Sequence, residues 1–119
     1  MKRKKKTKTK TGSQKYQKVI NEAFYVAKMN GGGLVKSEAW EDQQGKIVKY
    51  CLAYINQLIF AGDNGRVLGY ANTHHYHHRH YLDEITPVDD FKSYQDLVDR
   101  FEKEIKEFIK WESKLRVEV

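Results

Sequence analysis

The 119 residues contain a single cysteine, Cys51, so no disulfide can close within the chain. That pattern fits a reducing cytoplasm. No apolar run approaches the roughly 18 residues of a membrane span. The N-terminus is charged but has no apolar segment behind it, which argues against a secretory signal. The glycine run at 31–33 is not followed by Gly-Lys-Ser/Thr, so it reads as a hairpin turn rather than a phosphate loop. Only one stretch reads convincingly as helix, which excludes a helix-turn-helix. Residues 1–15 hold eight Lys/Arg and no acid. Of the chain's 22 basic residues, 14 therefore remain in the body against 16 acidic ones, and the net +6 belongs to the tail.

What the chain does have is histidine in one place. All five lie between His74 and His80, interleaved with Tyr76 and Arg79. Imidazole changes charge near neutral pH, donates, accepts and ligates metals. A packed core has little use for five neighbouring imidazoles, because each buried one needs hydrogen-bond partners. In an extended segment His74, Tyr76, His78 and His80 share one face, and His75, His77 and Arg79 share the other.

Met1–Gln14 is Lys/Thr-rich and lacks the apolar residues needed to pack, so it is expected to be disordered. Its Lys2, Arg3, Lys4, Lys5 and Lys6 could grip nucleic-acid phosphates. Residues 15–113 are expected to form one domain, with 114–119 frayed. Tyr16–Lys28 fits a helical face or a strand. Asn30–Gly33 is a turn, and Leu34–Glu41 alternates as a strand. Lys46–Phe60 is the strongest strand pattern, with apolar residues on both faces, as in a central strand. Asn64-Gly65 marks a hairpin, and Arg66–Tyr70 returns as a strand that delivers the histidines. Pro87 with Asp89-Asp90 marks a loop. Ser93 then stands as an N-cap, with Asp96 as its capping-box partner. Leu97, Val98, Phe101, Ile105, Phe108 and Ile109 recur at helical spacing over about five turns, which Trp111 extends. The expected fold is α+β: a small antiparallel β-meander sheet with one C-terminal α-helix packed on it, behind a basic disordered N-terminal tail.

Gly65-Arg-Val-Leu-Gly-Tyr-Ala-Asn72, then His78-Arg79-His80, Pro87 and a Phe91–Phe108 helix resemble the TumE family. These are small bacterial and archaeal toxins of toxin–antitoxin pairs. The family motif is Gly-Tyr-Asp-Asn followed by His-x-His. Gly69, Tyr70, Asn72, His78 and His80 match it, and Ala71 stands at the aspartate position. The resemblance implies a toxin whose partner is an antitoxin, and it favours strand for residues 19–27.

Three functions are compatible with these residues. The first is a toxin of a type II pair acting on RNA as a metal-independent endoribonuclease. His78 and His80 would supply acid and base, Arg79 would offset phosphate charge, and Tyr76 or Tyr81 would stack a base. No cofactor is expected in that reading. The second is a metal site, using His74 with His78 or His75 with His77 and a third ligand from Asp83, Glu84 or water. The third is a non-enzymatic nucleic-acid-binding or regulatory module. A small helix-turn-helix antitoxin is the expected partner, RNA a further one, and an oligomer is permitted by free sheet edges.

Deleting residues 1–12 should leave the melting temperature unchanged. It should also flatten the salt dependence of RNA binding, by a slope of roughly 0.7 for each lost lysine–phosphate contact to a single strand. An unchanged slope would refute the arm.

Overall fold

The computed structural model describes residues 15–118, with side chains as far as Lys110. Lys2, Arg3, Lys4, Lys5 and Lys6 lie outside the described residues, and so does the expectation of a disordered tail. Six strands follow one another: β1 (Gln17–Tyr25), β2 (Leu34–Glu41), β3 (Ile47–Ile55), β4 (Arg66–Ala71), β5 (His78–Tyr81) and β6 (Glu84–Pro87). They pair antiparallel in chain order as a meander. One helix, α1 (Tyr94–Glu118), follows and packs over β3 and β4. The fold is therefore α+β, as the alternation of periods predicts. Residues 19–27 are mainly strand, and β3 is an interior strand of the sheet.

The covered face is aromatic. Tyr50, Leu52 and Tyr54 of β3 and Leu68 and Tyr70 of β4 are buried beneath Leu97, Phe101 and Ile105. Ring contacts join Tyr50 to Tyr94, Tyr54 to Phe108 and Tyr70 to Phe101. The helix starts as its sequence suggests, with the Ser93 hydroxyl accepting the Asp96 amide at 3.0 Å. The Asp96 carboxylate forms an ion pair with Arg100 at 3.0 Å instead of closing a capping box. The helix continues to Glu118, about seven turns rather than five. The side chain of Trp111 lies outside the described residues.

Two expectations change. The strand expected to reach Phe60 ends at Ile55. Asn56, where the alternation falters, is 6% exposed and builds a turn: its side-chain oxygen accepts the Leu58 amide and its carbonyl accepts those of Ile59 and Phe60. Leu58 is left 98% exposed, so it belongs to no apolar face. Past Tyr70, where the pattern marks no further strand, the chain supplies β5 and β6. Pro87 ends the edge strand β6, where its missing N–H costs no ladder bond. In the first turn Gly33 has φ +99°, and a Cβ there would stand 2.8 Å from the Ile55 carbonyl oxygen.

Phe101 is 1% exposed at the centre of the helix–sheet contact. Phe101→Ala should cost about 3–5 kcal/mol in urea unfolding. A loss below about 1 kcal/mol would mean that α1 does not hold the covered face.

Candidate functional site

The site grows from the β4–β5 hairpin. Beyond β4, Asn72 extends the pairing with its side chain: Oδ1 accepts the Tyr50 amide at 3.0 Å and Nδ2 donates to the Val48 carbonyl at 2.8 Å. The chain then turns through Thr73–His75. His74 and His75 have φ of +64° and +70°. Such left-handed conformations cost a non-glycine residue roughly 1–2 kcal/mol each. Both residues are exposed there.

Past the turn, strand alternation sorts the side chains. In β5, His78 pairs with Ala71 and His80 with Gly69, and these point to the sheet face opposite α1. Arg79 pairs with Tyr70 and points to the helix. His78 and His80 stand together, with ring centroids 4.9 Å apart. Tyr76 lies 4.9 Å from His78, and His74 lies 6.3 Å from it. Both paired imidazoles are buried, at 2% and 6% exposure, although a packed core has little use for neighbouring imidazoles. The cause is local: the Tyr76 and His74 rings stand against His78, and Arg66 and Asp63 stand beside His80.

The hydrogen bonds set protonation. His78 Nδ1 lies 3.1 Å from the Tyr76 carbonyl, which can only accept, so Nδ1 carries a proton. His80 Nδ1 has no hydrogen-bond partner and faces Asp63 Oδ2 at 3.6 Å. Burial, then the charges of Arg66 and His78, push the His80 pKa down to about 4, with Asp63 pulling the other way. His80 is thus neutral near pH 7. The Arg66 fork grips Asp63 through Nε at 2.9 Å and a terminal nitrogen at 3.2 Å. That hydrogen bonding holds the carboxyl below its usual range.

The residues read from sequence therefore divide. His78, His80 and Tyr76 converge on the uncovered face. Arg79 does not join them: it forms an ion pair with Glu104 at 3.0 Å on the helix side. Tyr81 goes with it, its ring 5.0 Å from the Arg79 guanidinium. His77 also faces the helix, stacked on Phe91 at 3.6 Å. Sequence reading missed Asp63, Arg66 and Glu104. Asp63 belongs to a segment that signals only a turn, and Arg66 opens a strand whose pattern carries no sign of a charged site. Among the described residues, no three His, Cys, Asp or Glu side chains are grouped to hold a metal ion. The pairings proposed with Asp83 or Glu84 thus have no such grouping.

The sequence model of one family, described as Toxin TumE, matches residues 13–109. The chain belongs to the TumE toxin family. Membership gives it a toxin role. No curated protein and no solved structure matches the chain. Among the described residues, no helix is long and apolar enough to cross a membrane.

The TumE motif now has physical content. A Cβ on Gly69 would stand 2.5 Å from the Leu52 carbonyl oxygen, so only glycine lets β3 and β4 approach. Tyr70 donates its hydroxyl to Glu104 at 2.8 Å, fastening sheet to helix. Burial and that carboxylate raise its phenol pKa to about 12. Asn72 fastens the hairpin to β3. Ala71 is 3% exposed opposite His78, so the family aspartate would stand beside that imidazole. This chain instead has a carboxylate, Asp63, beside His80.

The depressed His80 pKa fixes a pH dependence. The unfolded imidazole takes a proton below about pH 6.5, while the folded one resists until about pH 4. The stability it contributes is full above pH 6.5 and is lost as pH falls towards 4; the lowered pKa of His77 acts in the same direction. Urea midpoints across this window should fall less steeply for His80→Gln than for the unaltered chain. Parallel curves would contradict the assignment.

Proposed function

We propose that this TumE-family chain is the toxin of a type II pair and acts in the cytoplasm on RNA as an endoribonuclease. The observation that carries this reading is the convergence of His78 and His80 with the Asp63–Arg66 pair on the uncovered face. Cleavage of an RNA strand needs a base for the 2′-hydroxyl, an acid for the departing 5′-oxygen and a cation for the phosphate. Neutral His80 takes the 2′-hydroxyl proton, and Asp63 beside it stabilises the imidazolium that results. The 2′-oxygen bonds to phosphorus, and the bond to the 5′-oxygen breaks. His78 acts in its imidazolium form: with Nδ1–H tied to Tyr76, it gives its Nε2 proton to that oxygen and is left neutral. The products are a 2′,3′-cyclic phosphate and a 5′-hydroxyl. Arg66, beside His80, takes the cation role that Arg79 cannot fill from the helix side.

The approach to the pair supports a strand-shaped substrate. An open depression of about 180 Å³ lies next to it, lined by Cys51 and Ala53, by the cations Lys36 and Arg66 and by the carboxylates Glu38 and Asp63. Exposed Tyr76 offers a ring to a base. Lys2, Arg3, Lys4, Lys5 and Lys6 add a sequence-independent hold on phosphates. The partner is a protein antitoxin of the helix-turn-helix kind. The burial of both imidazoles favours a second reading, in which the face binds RNA without cutting it.

Induced expression of His78→Gln, His80→Gln and Arg66→Ala, with RNA end mapping and melts of the purified variants, separates these readings. Each histidine variant should lose about 10²–10⁴-fold in cleavage. The double variant should lose scarcely more than either single one, because acid and base act as a unit. Folded histidine variants that remain toxic would remove the imidazoles from the chemistry. Toxicity without new RNA ends would favour the binding reading.

A further inference from the structure

The hairpin that turns His78 and His80 to one face turns His77 to the other, into a cleft that the proposed RNA chemistry does not use. The cleft lies between the start of β3 and the N-terminal end of α1 and encloses about 670 Å³. That is within the range of roughly 300–1,000 Å³ typical of small-molecule sites. Its wall is a column of rings. His77 lies flat on Phe91, centroids 3.6 Å apart and planes 6° apart. Tyr50 is nearly parallel to both, at 5.8 and 6.5 Å. Tyr94 tilts against Tyr50 at 5.7 Å. The charged residues in the lining are Lys46 and Lys92, and no carboxylate joins them. Both lysines are exposed, and neither forms an ion pair among the described residues.

One donor in this wall has a fixed direction of proton. Tyr50 is 1% exposed, and its hydroxyl lies 2.7 Å from His77 Nδ1. A buried phenol that keeps its proton must donate it, and burial raises the Tyr50 pKa well above its ordinary value. Nδ1 of His77 therefore accepts. Burial, then the charge of His78, lowers the pKa of His77, so the ring is neutral and its proton resides on Nε2. The cleft thus combines flat aromatic surface, a fixed N–H donor and two exposed ammonium groups, of which Lys92 also acts on the Asp90 carboxylate. Tyr94 and Gln95, whose backbone amides have no acceptor inside the helix, line the same end.

We propose that this cleft binds a nucleoside monophosphate, free or as the terminal residue of an RNA. The rings take the base by stacking, and the lysines take the phosphate as point charges. His77 Nε2–H donates to an acceptor on the base or sugar. A plain anion would use the lysines but not the rings, and a neutral aromatic would use the rings but not the lysines. This proposal stands whether or not His78 and His80 cut RNA.

The test is calorimetric and NMR titration of the full-length protein with AMP, GMP, CMP and UMP. The parallel ligands are the matching nucleosides, inorganic phosphate and a 5′-phosphorylated RNA tetramer. At least one monophosphate should bind, with its nucleoside and inorganic phosphate each weaker by about tenfold or more. Lys46→Ala/Lys92→Ala should weaken binding by about tenfold or more, and Lys106→Ala, an equal charge loss per site elsewhere, should not. Tyr50→Phe should also weaken it, because it releases His77 from its single tautomer. A tetramer that binds more tightly than its mononucleotide identifies an RNA end as the source, and the reverse identifies a free nucleotide. Absence of monophosphate binding would overturn the proposal. So would equal affinity for inorganic phosphate, or undiminished affinity in the folded double-lysine variant.

Discussion

The register between β4 and β5 is the constraint on which the site depends. Side chains alternate with a period of two, so a slip of one residue would exchange the faces of β5 completely. His78 and His80 would then face the helix, and His77 and Arg79 would face outward. Two features oppose such a slip. Gly69 lets β4 lie close against β3, where a Cβ would strike the Leu52 carbonyl. Asn72 then carries both of its side-chain bonds to β3 backbone groups, fixing where the turn begins.

That single choice of face gives the histidines different electrostatic surroundings. On the uncovered side, His80 is neutralised by burial and by the neighbouring Arg66. Its unpartnered Nδ1 costs stability, since a buried polar atom without a hydrogen bond forfeits its hydration. On the helix side, Arg79, Glu104 and Tyr70 satisfy one another and couple sheet to helix. One incompletely satisfied group therefore lies at the candidate reactive pair, the other among the described residues being the ion-paired Asp96 Oδ2 on α1, and the closed network lies where the fold needs rigidity. Buried polar groups left short of partners often mark function for this reason.

The meander and its helix were legible because their periods differ. Alternation over 34–41 and 47–55 and the 3–4 spacing from Leu97 to Ile109 each exceed the length at which the pattern becomes ambiguous. The Ser93 cap and the glycine turn carried their own local chemistry. β5 and β6 were not legible, since each has four residues and histidine has no marked strand preference. The two faces of the histidine stretch could be read, but their burial could not, because it comes from Tyr76, His74 and the distant Asp63–Arg66 pair. Arg79 looked like a partner of His78 and His80 through adjacency alone. Adjacent residues on a strand face opposite ways, so the useful cation is Arg66, 14 positions from His80 in sequence and in contact with its field.

The central claim is that RNA meets the sheet face opposite α1. Amide shift mapping with a 2′-O-methyl RNA oligonucleotide, which resists cleavage at the 2′-position, tests it most directly. The account predicts the largest changes at Lys36, Cys51, Arg66 and His80. Changes confined to Arg79, Tyr81 and Glu104, with Lys36, Cys51 and Arg66 unmoved, would contradict it.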